Sequence, residues 1–247
     1  MDKFLYIAMT GAKQNMNSLA VRANNLANAN TDGFKADMEV GRSMQVNGAA
    51  LNTRVYAITE NPLVNYDSGA YKTTNRDLDI AVKGNGWIAV LDANGDEAYT
   101  RAGSLSFDAT GALVNARGNP IMGDIGPITI PLPAQKVDIS KDGVITVRPR
   151  GAPLGTINEV AKIKLVNPEF KDLIKGKDGL FRSHDGQVIP ADIDVNIESG
   201  MIEGSNVNAI SEMISLIDHQ RQFEMQIKLM KTAEEIDKSS TSLMRVS

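Results

Sequence analysis

Residues 5–33 read LYIAMTGAKQNMNSLAVRANNLANANTDG. Within them Leu5, Met9, Ala12, Met16, Leu19, Ala23 and Leu26 follow one another at spacings of four and three, a heptad seam kept over three repeats. The spacing predicts one helix over about residues 3–28. Its stop signal is Asn28-Ala29-Asn30-Thr31-Asp32-Gly33, a run of turn formers closed by a glycine that takes positive φ without strain.

Working outward, the same spacing returns at the other end in Ala209, Met213, Leu216, Gln220, Phe223, Ile227 and Met230. Ile210, Ile214, Ile217, Met225 and Leu229 widen that stripe. A second helix is predicted over about 206–242, with Ser205-Asn206 as its N-cap and a bend at Gly200 and Gly204 before it. Such a helix is roughly 50 Å long, far beyond the usual globular length, and needs a neighbour along it.

Between the helices, short alternating or β-rich runs are separated by turn residues, the pattern of an antiparallel β domain. The expected strands are 78–82, 87–91, 104–107, 112–114, 128–130, 144–147 and 161–166. Asn85-Gly86, Asn94-Gly95, Thr110-Gly111 and Asp142-Gly143 mark turns between them. The fold class expected is α+β: long N- and C-terminal helices around a central, mostly antiparallel β domain. The organisation expected is an N-terminal assembly helix (1–30), an extended connector (31–75), the β domain (76–200) and a C-terminal assembly helix (201–247).

Composition narrows the function. With 247 residues, 42% of them hydrophobic, the chain has material for a real core. A net charge of −4 from 26 basic and 30 acidic residues provides no broad positive field for nucleic acid or anionic lipid. Without cysteine there is neither disulfide nor thiolate chemistry. No apolar run approaches the roughly 18 residues of a membrane-spanning helix. The opening Met1-Asp2-Lys3-Phe4-Leu5-Tyr6-Ile7-Ala8-Met9-Thr10 does not continue into a signal-peptide apolar region, so no cleaved signal is expected.

The helices point to assembly. Asn15, Asn17, Asn24, Asn25 and Asn28 each cost up to about 0.7 kcal/mol relative to alanine inside a helix, so the first helix is intrinsically weak. Burial of its seam returns at most about 8 to 15 kcal/mol. The two helices could simply pair as a stalk, but the C-terminal stripe is wider than a two-helix seam requires. Ten of eleven methionines lie in residues 1–44 or 201–244, where flexible thioethers can fill unequal gaps between neighbours. The expected assembly residues are Leu5, Met9, Ala12, Met16, Leu19, Ala23, Leu26, Met213, Leu216, Phe223, Ile227 and Met230.

Ala23-Asn24-Asn25-Leu26-Ala27-Asn28 followed by Thr31-Asp32-Gly33-Phe34-Lys35 resembles the N-terminal signature of flagellar rod and hook proteins. Gly204-Ser205-Asn206-Val207-Asn208, leading into Phe223-Glu224-Met225-Gln226, is similar to their C-terminal signature. Residues 78–90 and Tyr99-Thr100-Arg101-Ala102-Gly103 are also similar to rod proteins, and Trp87 points towards the proximal-rod members. The resemblance implies a non-enzymatic structural subunit of the basal-body rod, with no cofactor and no metal. It implies export through the flagellar export apparatus without cleavage, and location in the periplasmic space. Partners would be other rod proteins and copies of itself, with neither nucleic acid nor membrane insertion. It further implies terminal helices forming an inner coiled-coil layer, β domain outside, that transmits motor torque towards the distal rod and hook.

Other chemistries are thinly supported. Asp77 and Asp79, two apart on a predicted strand, would share a face, as an acid/base pair requires, but so would the solvated face of any strand. Asp92-Ala93-Asn94-Gly95-Asp96 lacks the later ligands of a calcium loop and reads better as a hairpin turn. Gly84-Asn85-Gly86-Trp87-Ile88-Ala89 runs into a strand, where a dinucleotide fingerprint opens a helix. His184 and His219 have no evident second ligand, and Trp87 reads as core before sugar platform. The alternatives carried forward are a β-domain binding module on a trimeric helical stalk and a hydrolase using Asp77 and Asp79.

Overall fold

The computed structural model describes residues 2–45, 55–59, 63–151 and 158–245. Of the expected connector, residues 46–54 and 60–62 lie outside the described residues. In sequence, two terminal helices flank a run of antiparallel strands, so the chain is α+β. Helix α1 spans Asp2–Ala27 and helix α2 spans Ala209–Arg245. The chain divides into two compact units, one of residues 1–29, 36–65 and 207–247 and one of residues 30–35 and 66–206.

In the first unit α1 packs on α2. Two short antiparallel ladders complete it, Gly41–Gln45 with Val55–Thr59 and Asp37–Met38 with Leu63–Val64. Helix α1 stops where Asn28 donates its backbone N–H to the Asn24 carbonyl at 3.1 Å and its side-chain amide to the same oxygen at 2.9 Å. Helix α2 begins later than expected. Its N-cap is Asn208, whose Oδ1 accepts from the N–H groups of Ile210 and Ser211 at 3.1 and 3.2 Å. Asn206, expected with Ser205 to take that role, belongs to the second unit and is held within it, its N–H donating to Phe34 O at 3.3 Å and its Nδ2 to Asp67 O at 3.0 Å.

The second unit centres on a five-stranded antiparallel sheet. Its order is Leu165–Val166, Trp87–Leu91, Glu97–Thr100, Phe181–Ser183 and Leu173–Lys175. Beside it lies a three-stranded meander, Ala134–Ile139, Val144–Pro149 and Asn158–Lys162. The turns at Gly95 and Gly143 adopt φ of 88° and 82°, which glycine tolerates and other residues resist. Ile88 and Val90 of the sheet, Ile145 of the meander, and Ile80, Leu105, Leu113 and Ile163 from segments around them form one contiguous core.

Late strands return to pair with early ones. Asn196–Ser199 lies against Ile80–Lys83, and Met201–Glu203 against Tyr71–Thr73. Residues 128–130, expected as a strand, make only an isolated bridge through Thr129 to Ala112, although Ile128 and Ile130 are both buried. Pro127 and Pro131 flank the segment, and proline has no N–H for a ladder.

Candidate functional site: the faces of the terminal helices

The close approach of α1 to α2 is made by small residues. Among the described side chains of α1, the buried ones are Ala8, Ala12, Ser18 and Asn25. Gly11 sits so near α2 that a β-carbon there would stand 3.1 Å from Gln226 Nε2. Contacts of residue 11 with 226 and of residue 22 with 212 make the pair antiparallel. On α2 the inward positions recur at helical spacing: Glu212 and Ala233 are buried, and Leu216, His219, Phe223, Ile227 and Met230 half-buried between them. The His219 Nδ1 is buried there without a hydrogen bond.

The expected assembly residues are thus distributed over different faces. Ala12 is buried; Leu5, Leu19 and Leu26 are half-buried; Met9, Met16 and Ala23 are exposed. On α2, Leu216, Phe223, Ile227 and Met230 lie inward, whereas Met213 is half exposed. A second apolar stripe of α2 faces outward, formed by Ile210, Met213, Ile214, Ile217, Met225, Leu229 and Ile236. Each of these is at least 49% exposed, Ile210 reaching 71%.

Polar residues fix the packing of the helices, and of these only Asn25 stands out in the sequence. Arg22 Nη1 donates to Glu212 Oε1 at 3.1 Å and to Oε2 at 3.3 Å. Asn25, fully buried, donates to the Asp37 carbonyl at 2.8 Å and accepts from the Asp37 N–H at 2.9 Å, clamping the chain that follows α1. Gln14 and Ser18 both donate to the Glu39 carboxylate, Gln14 at 2.6 Å. Asparagine in this helix therefore weakens the isolated segment and locks the packed one. The pair Asn24-Asn25 within the N-terminal signature was the available signal.

In the second unit the three signature segments meet at one buried carboxylate. Glu203 Oε1 accepts from Lys35 Nζ at 2.7 Å and from Gly69 N–H at 3.0 Å; Oε2 accepts from Arg101 Nη1 at 2.9 Å. Lys35, Arg101 and Glu203 are all at most 2% exposed. Burial holds the Lys35 ammonium below its ordinary pKa, opposed by its bond to Glu203. Gly33, at φ 67°, presses against the backbone of Arg101 and Ala102, where a β-carbon would come within 2.3 Å of Ala102 N. Trp87 is buried beside this cluster, with Phe181 at 4.4 Å between ring centroids and the Arg101 guanidinium 5.3 Å from its ring.

The competing chemistries lose their geometry. Asp77 and Asp79 do not share a strand face, because both precede the strand beginning at Ile80. Asp77 lies in a turn with its side chain 55% exposed, while Asp79 is buried and paired with Arg76 at 3.3 Å. Asp92 closes a hairpin turn, its Oδ1 accepting from Asn94 and Asp96 N–H at 2.8 and 3.0 Å and its Oδ2 from Arg182 at 2.7 Å. Those bonds hold its carboxyl at about 2, the Arg182 bond foremost. His184 is exposed.

Comparison with known proteins finds three matching stretches of the chain. The profile described as "Flagella basal body rod protein" matches residues 5–35, which hold α1 and Lys35. "Flagellar hook protein FlgE/F/G D1 domain" matches 81–147, with Arg101, and "Flagellar basal body rod FlgEFG protein C-terminal" matches 198–243, with Glu203 and most of α2. The flagellar basal-body rod protein FlgF of Escherichia coli (strain K12) is 38% identical over 253 residues, covering 100% of both chains. FlgF of Salmonella typhimurium (strain LT2) is 37% identical with the same coverage. FlgF of Caulobacter vibrioides is 32% identical over 97% of each chain. The chain belongs to the family of the flagellar basal-body rod protein FlgF.

Proposed function

We propose that the chain is a structural subunit of the basal-body rod that polymerises through its terminal helices and passes motor torque towards the distal rod and hook. The observation that carries this reading is the outward stripe of α2, from Ile210 to Ile236, together with the exposed Tyr6, Met9 and Met16 of α1. The inward faces of the two helices satisfy each other, so the stripe remains for a neighbour. Seven large apolar side chains along one helix exceed the scattered exposure normal for a monomer.

On this reading the partners are other rod proteins and copies of the chain itself, with coiled-coil packing arising between subunits. Export through the flagellar apparatus without a cleaved signal brings the subunit to the periplasmic space. The functional contribution lies in interface and not in a catalytic pocket, as the family is structural. Asparagine-rich α1 supports a first helix whose persistence depends on packing.

The test is Ile214→Asp combined with Ile217→Asp. The purified variant is expected to keep the helix content and unfolding midpoint of the wild type, while cells carrying it form no rod beyond the point of its insertion and do not swim. Normal motility with the double variant incorporated would overturn the reading.

A further inference from the structure

Residues 30–35 enter the second unit shortly after α1, and residues 204–206 leave it shortly before α2. Both segments are tied to the unit around Glu203. Its side chain takes Lys35, Arg101 and the Gly69 N–H; its backbone carbonyl accepts from Gly33 N–H at 2.8 Å. Lys35 Nζ also donates to Asp67 O at 2.8 Å, and Arg101 donates to the carbonyls of Val82 and Gly84 at 3.3 and 2.7 Å.

Glu203 is the one carboxylate in this cluster that bonds both cations. Two buried cations share one fully buried carboxylate, with the Asp67 charge adding support to Lys35 alone, and Arg101 Nε has no hydrogen-bond partner among the described residues. Were the carboxylate missing, two like charges would be left where water cannot screen them, and breaking a buried pair in this way is strongly unfavourable. Of the two, only Lys35 sits outside the sheet and its flanking residues. Arg101 stands at the end of a central strand of the five-stranded sheet, whereas 30–35 is a six-residue strap without secondary structure of its own.

We propose that Glu203 is a latch: its single carboxylate makes docking of the strap 30–35 conditional on docking of the C-terminal segment 201–206. The two segments then seat in the β unit as one event, and neither is held without the other. Arg101 is the fixed post of the latch, Glu203 the bolt and Lys35 the catch. This goes beyond polymerisation through the helices and stands independently of it, because every group involved belongs to the β unit.

The experiment is amide hydrogen exchange on the full chain. Gly33 reports the strap, Gly69 the latch itself, and Ala89 and Ile121, bonded to Lys164 O and Leu113 O at 3.0 and 2.8 Å, the core. Glu203→Gln is expected to speed exchange at Gly33 and Gly69 by at least about a hundredfold, with Ala89 and Ile121 unchanged. Lys35→Met alone, which leaves Arg101 and Glu203 as a neutral pair, is expected to change Gly33 by less than about tenfold. Adding Lys35→Met to Glu203→Gln removes one stranded cation and is expected to restore most of the protection. Wild-type exchange at Gly33 in Glu203→Gln would overturn the latch. So would equal loosening in the single and double variants. If Glu203→Gln opens the core as well, the double variant must restore Ala89 and Ile121, and failure to do so counts equally against the proposal.

Discussion

The Arg22 guanidinium lies 3.1 Å from the carboxylate of Glu212, a residue 190 positions further along the chain. The same carboxylate sits 3.5 Å from the Asn25 amide, so one acidic group near the start of α2 serves two residues of α1. Arg22 is one-third exposed and can turn to water when the carboxylate is removed, and Asn25 keeps its bonds to Asp37. Glu212→Ala is therefore expected to cost about 1–2 kcal/mol. Urea unfolding followed by helical circular dichroism measures it; a loss below about 0.3 kcal/mol would show that the pair contributes nothing.

Gly33 and Gly95 both have positive φ, yet they should respond differently to alanine. At Gly95 nothing lies within 4 Å of an added β-carbon, so Gly95→Ala carries only the conformational penalty, about 1 kcal/mol. At Gly33 the same atom meets the Arg101 and Ala102 backbone at 2.3 Å, and Gly33→Ala should cost roughly 3 kcal/mol or more. Denaturation midpoints that fall equally for the two variants would refute the close approach.

Acid should report on Asp92. Its carboxyl lies at about 2, below the ordinary 3.8, chiefly through the hydrogen bond from Arg182. A depressed folded pKa stabilises fully above the unfolded value, and the contribution disappears as pH falls through the folded one. The stability difference between wild type and Asp92→Asn should thus be constant from neutral pH down to about 5 and shrink as pH approaches 2. In Arg182→Met, carboxyl NMR titration should find the Asp92 midpoint moved up towards 3.8. An unmoved midpoint would exclude the guanidinium as the cause.

Because the chain contains no cysteine, single thiols can map the helix faces. Cysteine at Ile214, 57% exposed, should react with a maleimide at the rate of a free thiol, and cysteine at Ala12 or Ala233 at least about a hundredfold more slowly. In isolated basal bodies the Ile214 thiol should become protected. Continued fast labelling there would place the outward stripe against solvent in the rod.

What could be read from sequence was what depends on near neighbours. The seven-residue spacing gave α1 and α2 to within about three residues, and Asn94-Gly95 gave the hairpin after Trp87–Leu91, because turn and helix chemistry act over a few positions. The strands at Asn196–Ser199 and Met201–Glu203 escaped notice. They pair with partners more than a hundred residues away and are too short to show alternation. The heptad pattern established a helix but not which side of it packs inward. On α1 that side is Ala8, Ala12, Ser18 and Asn25, because small residues let the helices come close, while Met9 and Met16 of the seam face out. Lys35 and Arg101 were visible only as members of the segments similar to rod proteins and Glu203 not at all, since a buried ionic cluster is assembled by the fold and leaves no local pattern.

In the ladder of Tyr71–Thr73 with Met201–Glu203, Tyr71 stands opposite Glu203. Everything between Thr73 and Met201 is thus a loop pinched shut at its neck by this ladder. Residues can be added to or removed from the far side of that loop without moving the two strands that close it, as long as the rung and the ionic cluster beside it stay intact.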